Sequence, residues 1–303
     1  MSKNTLIVIV GPTAIGKTSL SIALADYFDA EILSADSRQF FQEMSIGTAA
    51  PSEIELSKAP HHFIHHKSIQ ETYSVGDFER EALEKLEEVF QKGQKAILVG
   101  GSGLYVDAVT KGLDNFPEVA PEIREKLNNR LANEGIDALQ EDLHKLDPEY
   151  FSEVDRHNPH RLIRALEICI GTEKPYSSYR KRAKSNRIFE SIFIGLTADR
   201  EIIYERINRR VDLMMEEGLL EEVKKLYPHK NLNALNTVGY KELFKYLDGE
   251  WELEKAVEEI KKNTRRFAKR QLTWFRKNEE ITWFDFTTPP EDIARFIEAE
   301  IKG

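Results

Sequence analysis

Residues Gly11-Pro12-Thr13-Ala14-Ile15-Gly16-Lys17-Thr18 follow the spacing G-x-x-x-x-G-K-[ST], and their types describe a phosphate site. The glycines let the backbone fold round an anion with its N–H groups inward. The start of the helical pattern Thr18 to Ala25 adds a positive partial charge, Lys17 adds a full one, and the Thr18 hydroxyl can hold Mg²⁺. Most such loops bind ATP or another nucleoside triphosphate, and there a later apolar strand usually ends in an acid that helps the metal. Here Ala96-Ile97-Leu98-Val99 runs instead into Gly100-Gly101-Ser102-Gly103-Leu104-Tyr105, so the acid's place holds glycines that permit close backbone approach. The motif implies a diphosphate or triphosphate, and ATP hydrolysis loses ground.

A second group faces that site. The run Glu31-Ile32-Leu33-Ser34 leads into Ala35-Asp36-Ser37-Arg38-Gln39, which places Asp36 at the C-terminal edge of a parallel sheet, the usual ligand crevice of such folds. A carboxylate there deprotonates an acceptor, helps a metal, or caps the helix that follows.

These groups need a scaffold. Residues 5 to 10, Thr-Leu-Ile-Val-Ile-Val, form a β-branched run without polar alternation, the pattern of a strand buried on both faces. Similar runs at 31–34, 96–99, 192–196 and 281–284 alternate with helical periodicity. The expected fold is α/β, a P-loop NTPase-like parallel sheet flanked by helices. Between about 113 and 187 the strand signal vanishes, and consecutive helices are expected there, broken near Gly135, Pro148, Pro159 and Gly171. The predicted organisation is a core of residues 1–112 and 188–303, closed by a long helix over 251–277, with a helical insertion domain over 113–187.

Composition bounds the class. The chain has 303 residues, a formal charge of −9, and 41% apolar residues, enough for a real core and too many for disorder. No apolar run approaches the roughly 18 residues of a membrane span. A single cysteine, Cys169, leaves no disulfide framework within the chain and no Cys-rich zinc site, and its apolar surroundings mark a buried structural thiol. With no signal-peptide pattern at the N-terminus, a cytoplasmic protein is expected.

The sequence closely resembles the tRNA dimethylallyltransferases, or isopentenyl-tRNA transferases, of the shorter, bacterial type that lacks a C-terminal Cys2His2 segment. Besides the phosphate loop and Asp36-Ser37-Arg38-Gln39, the resemblance rests on Ile46-Gly47-Thr48-Ala49, His61-His62, Gly100 to Tyr105, and Arg161-Leu162-Ile163-Arg164-Ala165-Leu166-Glu167. It continues through Arg210 with Met214 and Gly218-Leu219, then Val238-Gly239-Tyr240, and Arg270-Gln271-Leu272-Thr273-Trp274-Phe275-Arg276. The resemblance implies transfer of a dimethylallyl group from dimethylallyl diphosphate to the exocyclic amine of the adenosine just 3′ of the tRNA anticodon, by a monomer that uses Mg²⁺. It implies that Asp36 is the general base, that Thr13 and Arg210 lie beside the diphosphate or the reaction channel, and that the phosphate loop holds the leaving group. It also implies tRNA contacts from Asp36, Ser37, Arg38, Gln39, Ser102, Arg124, and His160, Arg161, Leu162, Ile163 and Arg164. The adenosine is expected to leave its stack and enter a pocket between sheet edge and insertion.

The chain departs from the family pattern at Ala50, where a Lys commonly stands and whose loss weakens a phosphate contact, at Phe40-Phe41, where Val-Tyr is common, and in His61-His62-Phe63-Ile64-His65-His66. That histidine cluster invites a metal, yet no acid or cysteine stands at a ligand spacing.

Net charge alone argues against nucleic acid, but its distribution does not. Residues 156–187 carry nine Lys or Arg against two acids, and residues 261–277 carry eight against none. The first stretch includes Arg161 and Arg164 on one helical face and the run Arg180-Lys181-Arg182 with Lys184. In the second, Lys261, Lys262, Arg265, Arg266, Lys269 and Arg270 lie opposite a packing face of Val257, Ile260, Thr264, Phe267, Ala268, Gln271 and Phe275, and an RNA backbone contact is expected. A small-molecule or nucleotide kinase would explain the phosphate loop and Asp36 but neither the insertion nor the basic stretches. A catalytically silent RNA-binding module would leave Lys17, Thr18 and Asp36 without purpose.

Overall fold

The central residues of the first strand, Leu6 to Val10, are fully buried because they serve two cores at once. Leu6, Val8 and Val10 face one side of the sheet, and Ile7 and Ile9 face the other, which is why the run shows no polar alternation. The computed structural model describes residues 4–180 and 186–302, and Lys181, Arg182 and Lys184 of the expected basic run lie outside them.

Among the described residues, six strands, β1 (Asn4–Val10), β2 (Glu31–Ser34), β3 (His61–His62), β4 (Lys95–Gly100), β5 (Phe189–Thr197) and β6 (Ile281–Asp285), form one sheet in the order β3-β2-β4-β1-β5-β6. All pairings are parallel. The helices are α1 (Lys17–Phe28), α2 (Glu53–Leu56), α3 (Val75–Lys92), α4 (Gly103–Lys111), α5 (Pro121–Glu134), α6 (Ile136–Leu146), α7 (Pro148–Glu153), α8 (Pro159–Thr172), α9 (Arg200–Glu216), α10 (Leu219–Leu226), α11 (Tyr240–Leu247), α12 (Leu253–Phe275) and α13 (Pro290–Lys302). The parallel sheet between helices is the expected architecture, and β3 is an addition: the histidine pair forms a short edge strand, with His61 paired to Ile32 and His62 to Leu33.

Residues 4–111 and 186–302 make one compact unit, and 112–180 belong to a second. In the first, α3 and α4 bring Phe78, Leu86, Val106 and Val109 onto one sheet face, while α1, α9 and α13 bring Leu24, Ile207 and Ile297 onto the other. A third cluster, with Met44, Val223, Tyr240, Leu243 and Ile260, joins α9 to α12 beyond the sheet.

The second unit packs α5, α6 and α8 around Leu127, Leu139, Leu143, Leu162, Ile163, Leu166 and Cys169. The cysteine is a buried structural thiol, as expected. Asp147 caps α7 through the Tyr150 amide at 3.0 Å and also accepts from the Ser177 amide at 2.7 Å, so one buried carboxylate closes this unit. Gly135 separates α5 from α6, and α8 ends at Thr172, one residue past Gly171. Gly171 is small for packing: a Cβ there would stand 2.4 Å from Val119 Cγ1.

Candidate active site at the C-terminal ends of the strands

Strand register brings the expected site residues together. Val10 pairs with Gly100 and Gly195, and Ser34 pairs with Val99, so the loops leaving β1, β2 and β4 emerge side by side. A cleft of about 960 Å³ opens above them. It is lined by phosphate-loop residues 13–18, by Asp36 and Gln39, by Ala49 and Ala50, and by Arg206, Arg209 and Arg210 of α9. The glycines that end and follow β4 serve packing. A Cβ at Gly100 would meet the Ala35 carbonyl at 2.6 Å, one at Gly101 the Gln271 Nε2 at 2.2 Å, and one at Gly103 the Trp274 ring at 2.3 Å.

The phosphate loop ends at Gly16, in the left-handed region with φ 112°, and α1 begins with no acid in its first turn. Its N-terminal amides and dipole are thus left for an anion. Lys17 Nζ donates to the carbonyls of Gly11 at 3.1 Å and Pro12 at 2.8 Å. Burial pushes its ammonium down from 10.5 to about 7; the Asp36 carboxylate pulls it back up, and Arg210 and Arg38 press it further down. Thr18 lines the same cleft.

Helix α9 closes the loop from the opposite side. Arg206 and Arg210, four residues apart on one face, donate to the Ala14 carbonyl at 2.8 Å and to Thr13 Oγ1 at 3.1 Å. Burial lowers the Arg210 guanidinium to about 10, with Arg38 acting in the same direction and Asp36 against it. Three cations and one carboxylate therefore act on one another in and beside the cleft, an arrangement that an incoming polyanion relieves.

Asp36 accepts the Arg38 N–H on Oδ1 at 3.2 Å, so it orders its own turn as well as facing the cleft. Ser102 Oγ accepts the Ser37 N–H at 3.2 Å and shares a proton with Ser37 Oγ at 3.1 Å. Gln39 is held inside the protein, accepting from Ser34 Oγ at 3.2 Å and donating to the Ala49 carbonyl at 3.1 Å. Ala50, at the family's lysine position, lines a cleft whose cations come from α9 and Lys17.

Two polar residues without an expected role support this geometry. Glu222 of α10 accepts the amides of Ser45, Ile46 and Gly47 at 3.0, 2.8 and 2.9 Å, and the Tyr240 hydroxyl at 2.7 Å. It thereby fixes the segment that carries Ala49 and Ala50. Gln271 of α12 accepts the Thr13 N–H. Both are polar groups among the apolar positions of their helices, the one sequence signal that points to them.

The histidine cluster is divided among separate partners. His61 Nδ1 lies 2.7 Å from the Ala59 carbonyl and His62 Nε2 2.6 Å from Glu31, while the His66 ring packs on Phe40, Phe63 and Tyr73.

In the helical unit, His160 and Arg161 are exposed at the first turn of α8, and Arg124 is exposed on α5. Arg124 and Arg164 both pair with Glu167, at 3.1 and 2.7 Å. Leu162 and Ile163 require correction as RNA-contacting residues. Their side chains are 0% and 3% exposed, spent on the core beneath α8.

The expected wholly basic face of α12 is also corrected. Lys261 pairs with Asp212 at 2.8 Å, Lys262 with Glu259 at 2.7 Å, and Arg265 bonds Asn208 at 2.6 Å. The exposed cations are Arg266, Lys269, Arg270, Arg276 and Lys277. The acids that neutralise the first turns come from α9 and from the preceding turn of α12 itself.

The family model for IPP transferase matches residues 39–278. The chain is 62% identical over 298 residues to a tRNA dimethylallyltransferase of Christiangramia forsetii, covering 98% of this chain and 99% of that one. It is 58% identical over 304 residues to that of Flavobacterium johnsoniae, with 98% of each covered. Among solved structures, the full-length tRNA isopentenylpyrophosphate transferase of Bacillus halodurans superposes with a TM-score of 0.74 at 40% identity, covering 99% of this chain and 97% of that one. A eukaryotic dimethylallyltransferase acting on tRNA superposes with a TM-score of 0.78 at 28% identity, over 94% of this chain and 74% of that one.

Proposed function

The chain belongs to the IPP transferase family, and on that premise we propose that it transfers a dimethylallyl group from dimethylallyl diphosphate to the N6 amine of the adenosine immediately 3′ of the anticodon in tRNA. The observation that carries the reading is the convergence in one cleft of the phosphate loop, Arg210 and Asp36. The adenosine nitrogen forms its bond to the allylic carbon as the carbon–oxygen bond to diphosphate breaks, and the amine proton passes to the Asp36 carboxylate. The loop amides, Lys17, Thr13 and Arg210 take up the negative charge that develops on the leaving group. Because a purine amine is a weak nucleophile, alignment of the two reactants supplies much of the rate.

Ile46, Ile64, Leu213 and Met214 line the cleft alongside the cations and offer the prenyl tail an apolar wall. Magnesium is part of the proposal. The Thr18 hydroxyl is a hard oxygen donor in that cleft and would hold such an ion. When bound it neutralises diphosphate charge. The tRNA contacts in this reading are Ser37, Arg38 and Ser102 beside Asp36, with Arg124, His160, Arg161 and Arg164 on the helical unit. The reading includes a monomer acting in the cytoplasm; no helix among the described residues is long and apolar enough to cross a membrane.

A kinase is disfavoured because Gly100 and Gly101 stand where a metal-holding acid would follow β4. The test uses the purified chain, Mg²⁺, labelled dimethylallyl diphosphate and unmodified tRNA with adenosine 3′ of the anticodon. Label in that nucleotide is expected. Phosphorylation of a small substrate from ATP, with no prenylation of any tRNA, would overturn the proposal.

A further inference from the structure

One buried polar side chain bonded to the phosphate loop has no task in the reaction as described. Gln271 stands on the packing face of α12, between Ala268 and Phe275, and is 5% exposed. Its Oε1 accepts the Thr13 N–H at 2.8 Å and its Nε2 donates to the Gly101 carbonyl at 2.9 Å. Both ends of the amide hold backbone, and a buried amide satisfied in this way fixes the orientation of the peptides it binds.

Those peptides belong to the two halves of the site. Thr13 turns its N–H toward α12 and its hydroxyl toward Arg210, 3.1 Å away. Gly101 precedes Ser102, whose hydroxyl accepts the Ser37 amide at 3.2 Å, next to Asp36. The contact requires glycine at 101, because a Cβ would stand 2.2 Å from Gln271 Nε2. That same Cβ would lie 3.8 Å from Lys17 Nζ, so position 271 borders the loop lysine. A carboxylate there would have no proton for the Gly101 carbonyl and would draw Lys17 off its ligand. A neutral amide, donor and acceptor together, meets both demands.

We propose that Gln271 is a positioning residue for the transfer, setting the separation between the leaving-group site on the phosphate loop and Asp36 while touching neither reactant. The proposal rests on the prenyl-transfer reading and extends it to a residue of the last long helix.

The test uses the full chain and inorganic diphosphate with Mg²⁺. Gln271→Met keeps the length of the side chain and removes both hydrogen bonds. It is expected to lower kcat for transfer about 10- to 100-fold and diphosphate affinity about 5- to 10-fold, while tRNA affinity stays within about twofold. A cycle with Thr13→Val separates positioning from loosened packing. If Gln271 acts through Thr13, the second substitution costs less than about twofold in diphosphate affinity in the background of the first. Losses that multiply, or a folded Gln271→Met with unchanged kcat, overturn the proposal. Should Gln271→Met fail to fold, Gln271→Asn, a neutral amide one methylene too short to hold both peptides, is read in its place: lowered kcat with tRNA affinity retained supports positioning, and wild-type kcat overturns it. Absence of transfer by the unsubstituted chain would strike the prenyl-transfer reading instead, and the diphosphate cycle would still test Gln271.

Discussion

Arg210 Nη1 lies 3.1 Å from Thr13 Oγ1, so a helix that follows β5 supplies a guanidinium to the loop that follows β1. The pair spans the cleft where a leaving diphosphate is proposed to sit, and Arg210→Gln removes its charge while keeping a polar end. The expected result is a fall of about 10²- to 10³-fold in kcat/KM for the prenyl donor, with tRNA affinity unchanged by filter binding. An equal loss of tRNA affinity would reassign Arg210 to RNA contact.

Lys17 gives a stability prediction whose sign follows from its depressed pKa. The group titrates at about 7 when folded against 10.5 ordinarily, so the empty protein bears the full cost of a buried ammonium below pH 7 and sheds it between pH 7 and 10.5. Lys17→Met lacks that cost. It is expected to melt higher than the parent at pH 6, by about 2–4 °C for each kcal/mol relieved, with the advantage shrinking toward pH 10, and to lose diphosphate binding. A melting difference that does not change between pH 6 and pH 10 would contradict it.

Asp36→Asn keeps the acceptor for the Arg38 amide and removes the proton acceptor. Turnover is expected to fall about 10²- to 10⁴-fold, with the Kd for unmodified tRNA unmoved. Parallel loss of both would make Asp36 a structural residue of its turn.

The Glu222 network sets a packing prediction. A Cβ at Gly47 would stand 2.6 Å from the buried Tyr240 ring, and neither the backbone nor the ring can yield easily. Gly47→Ala is expected to destabilise by about 1–3 kcal/mol, whereas Tyr240→Phe, which keeps the ring and loses the hydroxyl's bond to Glu222, costs about 1 kcal/mol. Denaturant titration of the two variants checks the order, and the reverse order would refute it.

Salt dependence distinguishes the cations of α12. Lys269 and Arg270 are exposed, and their joint replacement by Gln is expected to lower the slope of log K against log salt for tRNA by about 0.7–0.9 for each phosphate that they neutralise. Lys261 is already paired with Asp212, so Lys261→Gln leaves that slope unchanged. Equal effects of the two replacements would remove α12 from the RNA surface.

The parts legible in sequence are those whose signal is local. Leu6 to Val10 declare a doubly covered strand by composition alone, and the spacing of Gly11 to Thr18 predicts a turn from strand to helix, which is where β1 gives way to α1. Asp36 is readable through its place after β2. The rest depends on partners distant in the chain. Strand β3 is two residues long and exists because β2 offers it an edge. Glu222 and Gln271 are ordinary polar residues until the amides they bind, at 45–47 and at 13, are folded against them. The charge balance over 261–277 overstates the basic surface because the acid facing Lys261 sits on another helix, at Asp212. Burial of Leu162 and Ile163 follows from the period of α8, which alternates exposed arginines with core positions, so a contiguous motif never makes a contiguous surface.

The bond between Thr13 and Gln271 joins positions 258 residues apart. During synthesis the loop that carries Thr13 is made before α12, so its amide has no Gln271 to bind until that helix follows. Loop and helix therefore become one structure only when the two ends of this 258-residue span fold against each other.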